Sequence, residues 1–446
     1  MWESPLPYGT FSSPRLIETA EKPELLMAFG SEDSLAGGVV AVDVTTGEHR
    51  WRVDTEQELF ALPQPLTPAD SGVHPWVVAG RNGQLRAIDA ARGAVLWRFR
   101  PFGGDGKKQG IYNFYTGFEL GDADGDGIGD WVVTNGGDSA LGKFEGRPPG
   151  HLMVVSGRDG SVIHRMLVPD HRETYCSPLL WRRMDEEWVV FGTGGETFPG
   201  SLWAVAAEEV LAGGLAGIRS LVDFVEYKGA IAPPSLADLD GYGVLDLVAV
   251  PFDGRIIALS GRTLAPLWSF DAPVDEETQS SPAIGDFDGD GDLDVVQVEQ
   301  EGIFPRWTAS VVRVFDGGTG AGLWERRMVR DLVPASPLAV DLDADGRDEI
   351  LITRSDAGLF RGATSRSRMQ AVHVEEARID TLAETDGFNS GAGLVADADG
   401  DGLLEWFVPL RQAGERGSLV RIDLRAPVPR RIAWGGYLGT RHDGAY

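Results

Sequence analysis

The chain has 446 residues, with 68 acidic against 40 basic side chains, a formal net charge of −28, 59 glycines, 26 prolines and one cysteine. So acidic a chain lacks the basic face that nucleic acid requires. The lone Cys176 excludes an internal disulfide, a Cys-based zinc site and a C-x-x-C-H haem attachment, and reads as a small buried hydrophobe. No apolar run is long enough to span a bilayer, and the first residues show neither the basic nor the apolar region of a signal peptide.

Short Val/Ile/Leu runs broken by glycine and proline predict an all-β chain, and a recurring Ser-Pro signal divides it into units. The first unit, 11–60, opens at Ser13-Pro14 and closes on "AVDVTTGEHRW", Ala41 to Trp51. The second, 61–104, opens at Gln64-Pro65 and closes on "AIDAARGAVLW", Ala87 to Trp97. Both closures read as strand, tight turn, strand. "FGGDGKKQ", Phe102 to Gln109, lacks the spacing and the Ser or Thr of a phosphate loop and reads as a mobile connection. The third unit, 111–170, carries "IYNFYTGF" (Ile111 to Phe118), then "DADGDGIGD" from Asp122, then a degenerate hairpin from His151 to His164. The fourth, 174–228, has the flanking pattern at Thr174 to Gly195 without an acidic loop, and one helix-like run, Leu202 to Gly217.

The fifth unit, 229–275, contains "DLDGYGVLD" from Asp238 and a worn hairpin, Ala258 to Trp268. The sixth, 278–330, contains "DFDGDGDLD" from Asp286 and "VFDGGTGAGLW", Val314 to Trp324. The seventh, 331–385, has "DLDADGRDE" from Asp341 but fits poorly around Ala371 to Ile379, and the eighth, 386–440, has "DADGDGLLE" from Asp397 and a degenerate closure from Val420 to Trp434. Asp43, Asp89 and Asp316 suit turn starts, Gly47, Gly93 and Gly320 a positive φ, and Trp51, Trp97, Trp268 and Trp324 anchors between units. A unit of about four short strands cannot bury both sheet faces alone. Radial stacking solves this, which predicts a single eight-bladed β-propeller domain, with seven blades as the alternative.

The acidic loops pose an electrostatic problem, because five aspartates within nine residues repel one another. A cation resolves it. Carboxylates at the first, third and fifth positions converge if the chain curls, glycine at the sixth permits the turn, the seventh offers its carbonyl, and the ninth closes a shell of hard oxygens suited to Ca²⁺. The candidate side-chain ligands are Asp122, Asp124, Asp126 and Asp130; Asp238, Asp240 and Asp246; Asp286, Asp288, Asp290 and Asp294, with Asp292 at the seventh position; Asp341, Asp343, Asp345 and Glu349; and Asp397, Asp399, Asp401 and Glu405. Tyr242 at the fifth position predicts weak or no occupancy at Asp238. These five stretches hold 21 acidic residues and one basic residue, Arg347, so most of the net charge is concentrated in them.

The D-x-D-x-D-G-x-x-[DE] loops, each followed by a strand such as "DVVQV" or "EILIT", resemble FG-GAP propeller repeats, known from integrin α-subunits and bacterial surface proteins. The A-x-D-x-x-T-G-x-x-x-W units resemble the repeats of pyrroloquinoline-quinone (PQQ) dehydrogenases and of outer-membrane assembly lipoproteins. The first resemblance implies calcium, with backbone ligands at Ile128, Asp292, Arg347 and Leu403. The quinone dehydrogenases place a vicinal cysteine pair against the cofactor, which this chain lacks. The expectation is a calcium-stabilised, non-catalytic binding or scaffold module for a protein or carbohydrate partner, located in the periplasm, at the cell surface or outside. The alternatives are a rhamnogalacturonan-lyase-like enzyme, then a PQQ quinoprotein. Segments before the Ser-Pro signals, "HRETY" and "DEETQ", are expected at a channel mouth, which makes Arg172, Glu173, Tyr175 and Glu277 candidate ligand contacts, with Tyr115 from the inserted stretch.

Overall fold

A computed structural model describes residues 1–18, 22–31, 34–68, 72–101, 112–138, 141, 144–224, 228–273, 275–356 and 365–446. The chain is an all-β, eight-bladed β-propeller: its strands form eight antiparallel sheets. Among the described residues the α-helix content is one short turn, Ala207–Leu211. The Phe102 to Gln109 stretch lies outside the described residues.

Blades 1 to 4 make one compact unit, residues 15–43 and 48–233. Blade 1 runs Arg15–Glu18, Pro23–Ser31, Ala36–Asp43, His49–Thr55 and blade 2 Gln64–Pro65, Pro75–Ala79, Leu85–Asp89, Ala94–Arg98. Blade 3 runs Phe118–Leu120, Asp130–Asn135, His151–Val155, Val162–Leu167 and blade 4 Leu179–Arg183, Glu186–Gly192, Ser201–Ala206, Arg219–Asp223. The helix-like run of the fourth blade is therefore mostly strand, with one helical turn before Gly213 at φ 76°. With Leu202 and Ala204 on one face and Trp203 and Val205 on the other, the run fits a pleated strand better than a helix interrupted by glycine.

Blades 5 to 8 make the second unit, residues 1–14, 44–47 and 234–446. Blade 5 runs Ser235–Ala237, Asp246–Ala249, Ile256–Leu259, Pro266–Phe270. Blade 6 opens with Glu276–Glu277 and Ala283–Gly285 and continues Asp294–Glu301, Ala309–Asp316, Gly322–Val329. Blade 7 opens with Asp331–Leu332 and Leu338–Val340, then Glu349–Asp356, Arg366–His373, Arg378–Asp386. The poorly fitting seventh unit is thus a full blade, because Met369, Ala371 and Val372 face the core between polar neighbours. Blade 8 has Phe388–Asn389, Leu394–Ala396, Leu403–Arg411 and Gly417–Pro427, and its outermost strand is Trp2–Leu6, paired with Gly417–Arg421. The hairpin expected from Val420 to Trp434 does not form. Residues beyond Pro427 instead lie along innermost strands of their own unit. Trp434 exchanges two backbone hydrogen bonds with Ala339, and Tyr446 N–H donates to the Leu236 carbonyl at 2.9 Å.

Middle strands read as continuous apolar runs because neighbouring blades cover both faces, whereas outermost strands such as Arg378–Asp386 are largely exposed. Core clusters accordingly straddle adjacent blades: 1 with 2, 2 with 3, 3 with 4, and 7 with 8. One joint recurs between blades. The Trp97 indole N–H donates to the Gly157 carbonyl at 2.8 Å, Trp51 to Ala90 at 2.9 Å, Trp268 to Gly317 at 2.6 Å and Trp2 to Val44 at 3.0 Å. Each ring lies on a turn glycine of the next blade; a Cβ on Gly93 would come within 2.7 Å of Trp51. In the degenerate third unit His164 takes this place, its Nε2 3.1 Å from the Leu211 carbonyl.

Candidate functional site

All five acidic loops connect an innermost strand to the second strand of a blade, in blades 3, 5, 6, 7 and 8. They share a hydrogen-bond scaffold. The first aspartate accepts from the backbone N–H of the sixth-position glycine: Gly127 to Asp122, Gly243 to Asp238, Gly291 to Asp286, Gly346 to Asp341 and Gly402 to Asp397. The ninth residue accepts from the second: Ala123 to Asp130, Leu239 to Asp246, Phe287 to Asp294, Leu342 to Glu349 and Ala398 to Glu405. The fourth and sixth positions both have positive φ, and the fourth is glycine everywhere except Ala344, at φ 64°.

The first, third and ninth carboxylates converge. Asp122, Asp124 and Asp130 each offer an oxygen within 4.8 Å of the others, as do Asp238, Asp240 and Asp246, and Asp286, Asp288 and Asp294; in blade 7 the same holds for Asp341, Asp343 and Asp345. Such groups could hold a metal ion. The Asp238 loop matches its counterparts here despite Tyr242, whose exposed ring lies under the Arg262 guanidinium at 3.8 Å. The ninth carboxylate is buried in every loop. Burial, followed by the charges of Asp288, Asp286 and Asp290, pushes Asp294 up to about 8. Burial and the charges of Asp343, Asp341 and Asp345 likewise push Glu349 up to about 8. An added cation would reverse that repulsion.

The loops differ in the cations that the chain itself supplies. Arg158 Nε meets Asp126 Oδ2 at 2.5 Å. Arg421 Nη2 lies 2.7 Å from Asp399 Oδ2 and 3.2 Å from Glu405 Oε1, while its Nη1 donates to the Val44 carbonyl. Arg347 pairs with Asp345 at 3.3 Å. Arg347 also reaches the Asp286 loop, where its Nε donates to the Asp288 carbonyl at 3.1 Å. Sequence reasoning missed Arg158 and Arg421 because both reach the loops across strand pairing, at separations of 32 and 22 residues.

The proposed channel-mouth residues fall into separate settings. In the first unit Tyr175 packs edge-on to Tyr115 with centroids 6.0 Å apart, and Tyr115 packs against Phe60 at 5.3 Å, making a row across blades 2, 3 and 4. Arg147 Nε donates to the Tyr175 hydroxyl at 3.2 Å. Burial pushes the Tyr175 phenol up to about 12 and raises the Glu173 carboxyl. Arg172 is half-buried, with its N–H on Asp170. In the second unit Glu277 is buried and accepts from the Phe304 N–H at 2.7 Å and the Trp307 indole at 2.9 Å, which fixes the 302–308 loop of its own blade. Tyr112 and Phe114 of the inserted stretch are core, packed on Phe99. Cys176 is fully buried, and burial pushes its thiol up to about 12.

Comparison with known proteins adds fold likeness. A protein-family model described as outer membrane protein assembly factor BamB matches residues 35–111. No curated protein matches. Among solved structures the chain resembles BamB from Moraxella catarrhalis, at 13% identity and TM-score 0.54, covering 94% of this chain and 96% of that one. It also resembles quinohemoprotein alcohol dehydrogenase ADHIIG from Pseudomonas putida HK5, at 13% identity and TM-score 0.61, covering 96% and 77%. A europium-containing methanol dehydrogenase aligns at 13% identity and TM-score 0.58, covering 93% and 85%. At such identities the likeness is one of fold. No helix among the described residues is long and apolar enough to cross a membrane.

Proposed function

We propose that the protein is a calcium-stabilised propeller that works as a non-catalytic docking module for a protein partner outside the cytoplasm. The observation that carries this reading is the repeated loop. Five loops in phase with the blades share one scaffold, and in it a buried ninth carboxylate lies with half-buried or exposed aspartates. Hard oxygen donors at that density suit Ca²⁺, which tolerates six to eight ligands. Sites of this kind fill where free calcium is plentiful, which favours the periplasm or the cell exterior. The family model matched over residues 35–111 is described as an assembly factor, and this supports a protein partner. The residues named for docking are Tyr115, Tyr175, Arg172 and Glu173 of the first unit; Glu277, buried in the second unit against its own loop, is left to that structural role.

Elemental analysis after dialysis against calcium tests the metal half. Four or five Ca²⁺ per chain are expected, from the loops of Asp122, Asp286, Asp341 and Asp397 and, more weakly, Asp238. Zero or one per chain would contradict it. A dehydrogenase reading draws on the likeness to the alcohol dehydrogenase. Titration with PQQ separates the two: saturable quenching of tryptophan fluorescence would favour the dehydrogenase, and no quenching is expected here.

A further inference from the structure

Blade 7 brings an imidazole to its acidic loop. Cross-strand register pairs the ninth-position residue with Asp316 in blade 6 and Asp423 in blade 8. In blade 7 the pairing of Ile350 with Val372 sets His373 beside Glu349 instead. His373 Nδ1 lies 3.2 Å from Glu349 Oε1, and its Nε2 lies 3.3 Å from Asp380 Oδ2. The imidazole side chain is 10% exposed and that of Glu349 4%. Asp343, Glu349 and His373 each offer a ligand atom within 4.8 Å of the other two. Glu376 approaches Nδ1 at 3.7 Å, Arg378 holds Asp380 and Glu376, and Arg347 holds Asp345 and Glu375.

A ring between two carboxylates has two ways to satisfy both. It is an imidazolium with a proton on each nitrogen, or it donates Nε2–H to Asp380 and turns a lone pair toward Glu349. In the second arrangement two acceptors face each other at 3.2 Å, and only a cation between them makes that contact favourable. A proton there serves Nδ1 and Glu349, whereas a metal ion serves Asp343 as well. A carboxylate on the far ring nitrogen fixes the tautomer and makes the near nitrogen a better donor to metal. Imidazole nitrogen is a poor ligand for Ca²⁺ and a good one for Zn²⁺ and its neighbours.

We propose that the blade 7 loop is a mixed nitrogen and oxygen site that prefers a divalent transition ion of the Zn²⁺ class. His373 Nδ1, Glu349 and Asp343 are its ligands, and Asp380 is the residue that positions the ring. The proposal rests on the reading of the acidic loops as cation sites and sets this one apart from the other four by metal class.

The test uses the full chain, stripped with chelator, saturated with Ca²⁺ and titrated with Co²⁺ while visible d–d absorption is recorded. One saturable equivalent is expected, displaced by Zn²⁺. H373Q should abolish the band, and D380N should keep it but weaken Co²⁺ binding about tenfold. Melting and calcium content of each variant report whether it folds with its other loops intact. No saturable cobalt band, or a band that H373Q leaves unchanged, overturns the proposal and leaves His373 as a structural partner of Glu349 and Asp380. The two readings fail separately. Four bound Ca²⁺ with no cobalt site sinks this one alone, and a His373-dependent cobalt site without calcium elsewhere sinks the calcium reading alone.

Discussion

Ala344 is the residue at which the loop scaffold shows its cost. The fourth position is left-handed in every loop, and only here does it carry a Cβ. An L-residue held there costs about 1–2 kcal/mol. A344G should therefore raise stability, by up to about 1 kcal/mol once the extra chain entropy of glycine is subtracted. Conversely, G291A puts a Cβ into open space at φ 90° and should lose about 1–2 kcal/mol through backbone strain alone. Urea melts of both variants in excess calcium check the pair; a neutral G291A would mean that the loop relaxes freely. Glu299 gives a pH prediction outside the loops. It is fully buried, with Arg313 Nη1 3.1 Å from Oε2, and burial pushes its carboxyl up to about 8. An unfolded glutamate titrates near 4.3. Between those values the folded state keeps a proton that the unfolded state has released. Its contribution is therefore complete below about 4.3 and is lost as pH rises toward about 8, with a slope of at most about 1.4 kcal/mol per pH unit. E299Q should flatten that part of the stability profile, and an unchanged slope would place the proton elsewhere.

At the scale of the element, the tryptophan joint predicts how blades are held. W97F keeps most of the ring but removes the donor to the buried Gly157 carbonyl, and leaving that acceptor unmatched should cost about 1–3 kcal/mol. A denaturant melt within error of the parent would reduce the joint to packing. Elements are also where the sequence was easiest and hardest to read. Turns at Gly47, Gly93 and Gly320 were legible because a positive φ constrains residue type locally. The outermost strand of blade 8 was not, because Trp2–Leu6 pairs with residues more than 400 positions away, and only Trp2, placed like the other joint tryptophans, signals it. His164 was hidden because an imidazole replaces the indole while making the same backbone contact.

For the whole molecule, the period of about 54 residues and the phase of the acidic loops made the eight-bladed fold legible. The arrangement of the candidate metal-binding groups was legible only in part. Spacing along the chain identifies Asp286, Asp288 and Asp294 as neighbours, but the groups that distinguish one loop from another come from elsewhere in the blade, Arg421 and His373 from a paired strand and Arg158 from the turn after one. Calcium binding to the native state alone adds about 2.7 kcal/mol per site at a hundredfold excess over Kd, so several sites together should dominate stability. D290A should remove one site's share, whereas D185A, in the loop-free blade 4, should change little. The most direct measurement is the melting temperature of the full chain in millimolar calcium and again in excess EDTA. The account predicts a fall of many degrees on chelation, restored by adding calcium back. Coincident melting curves would contradict it.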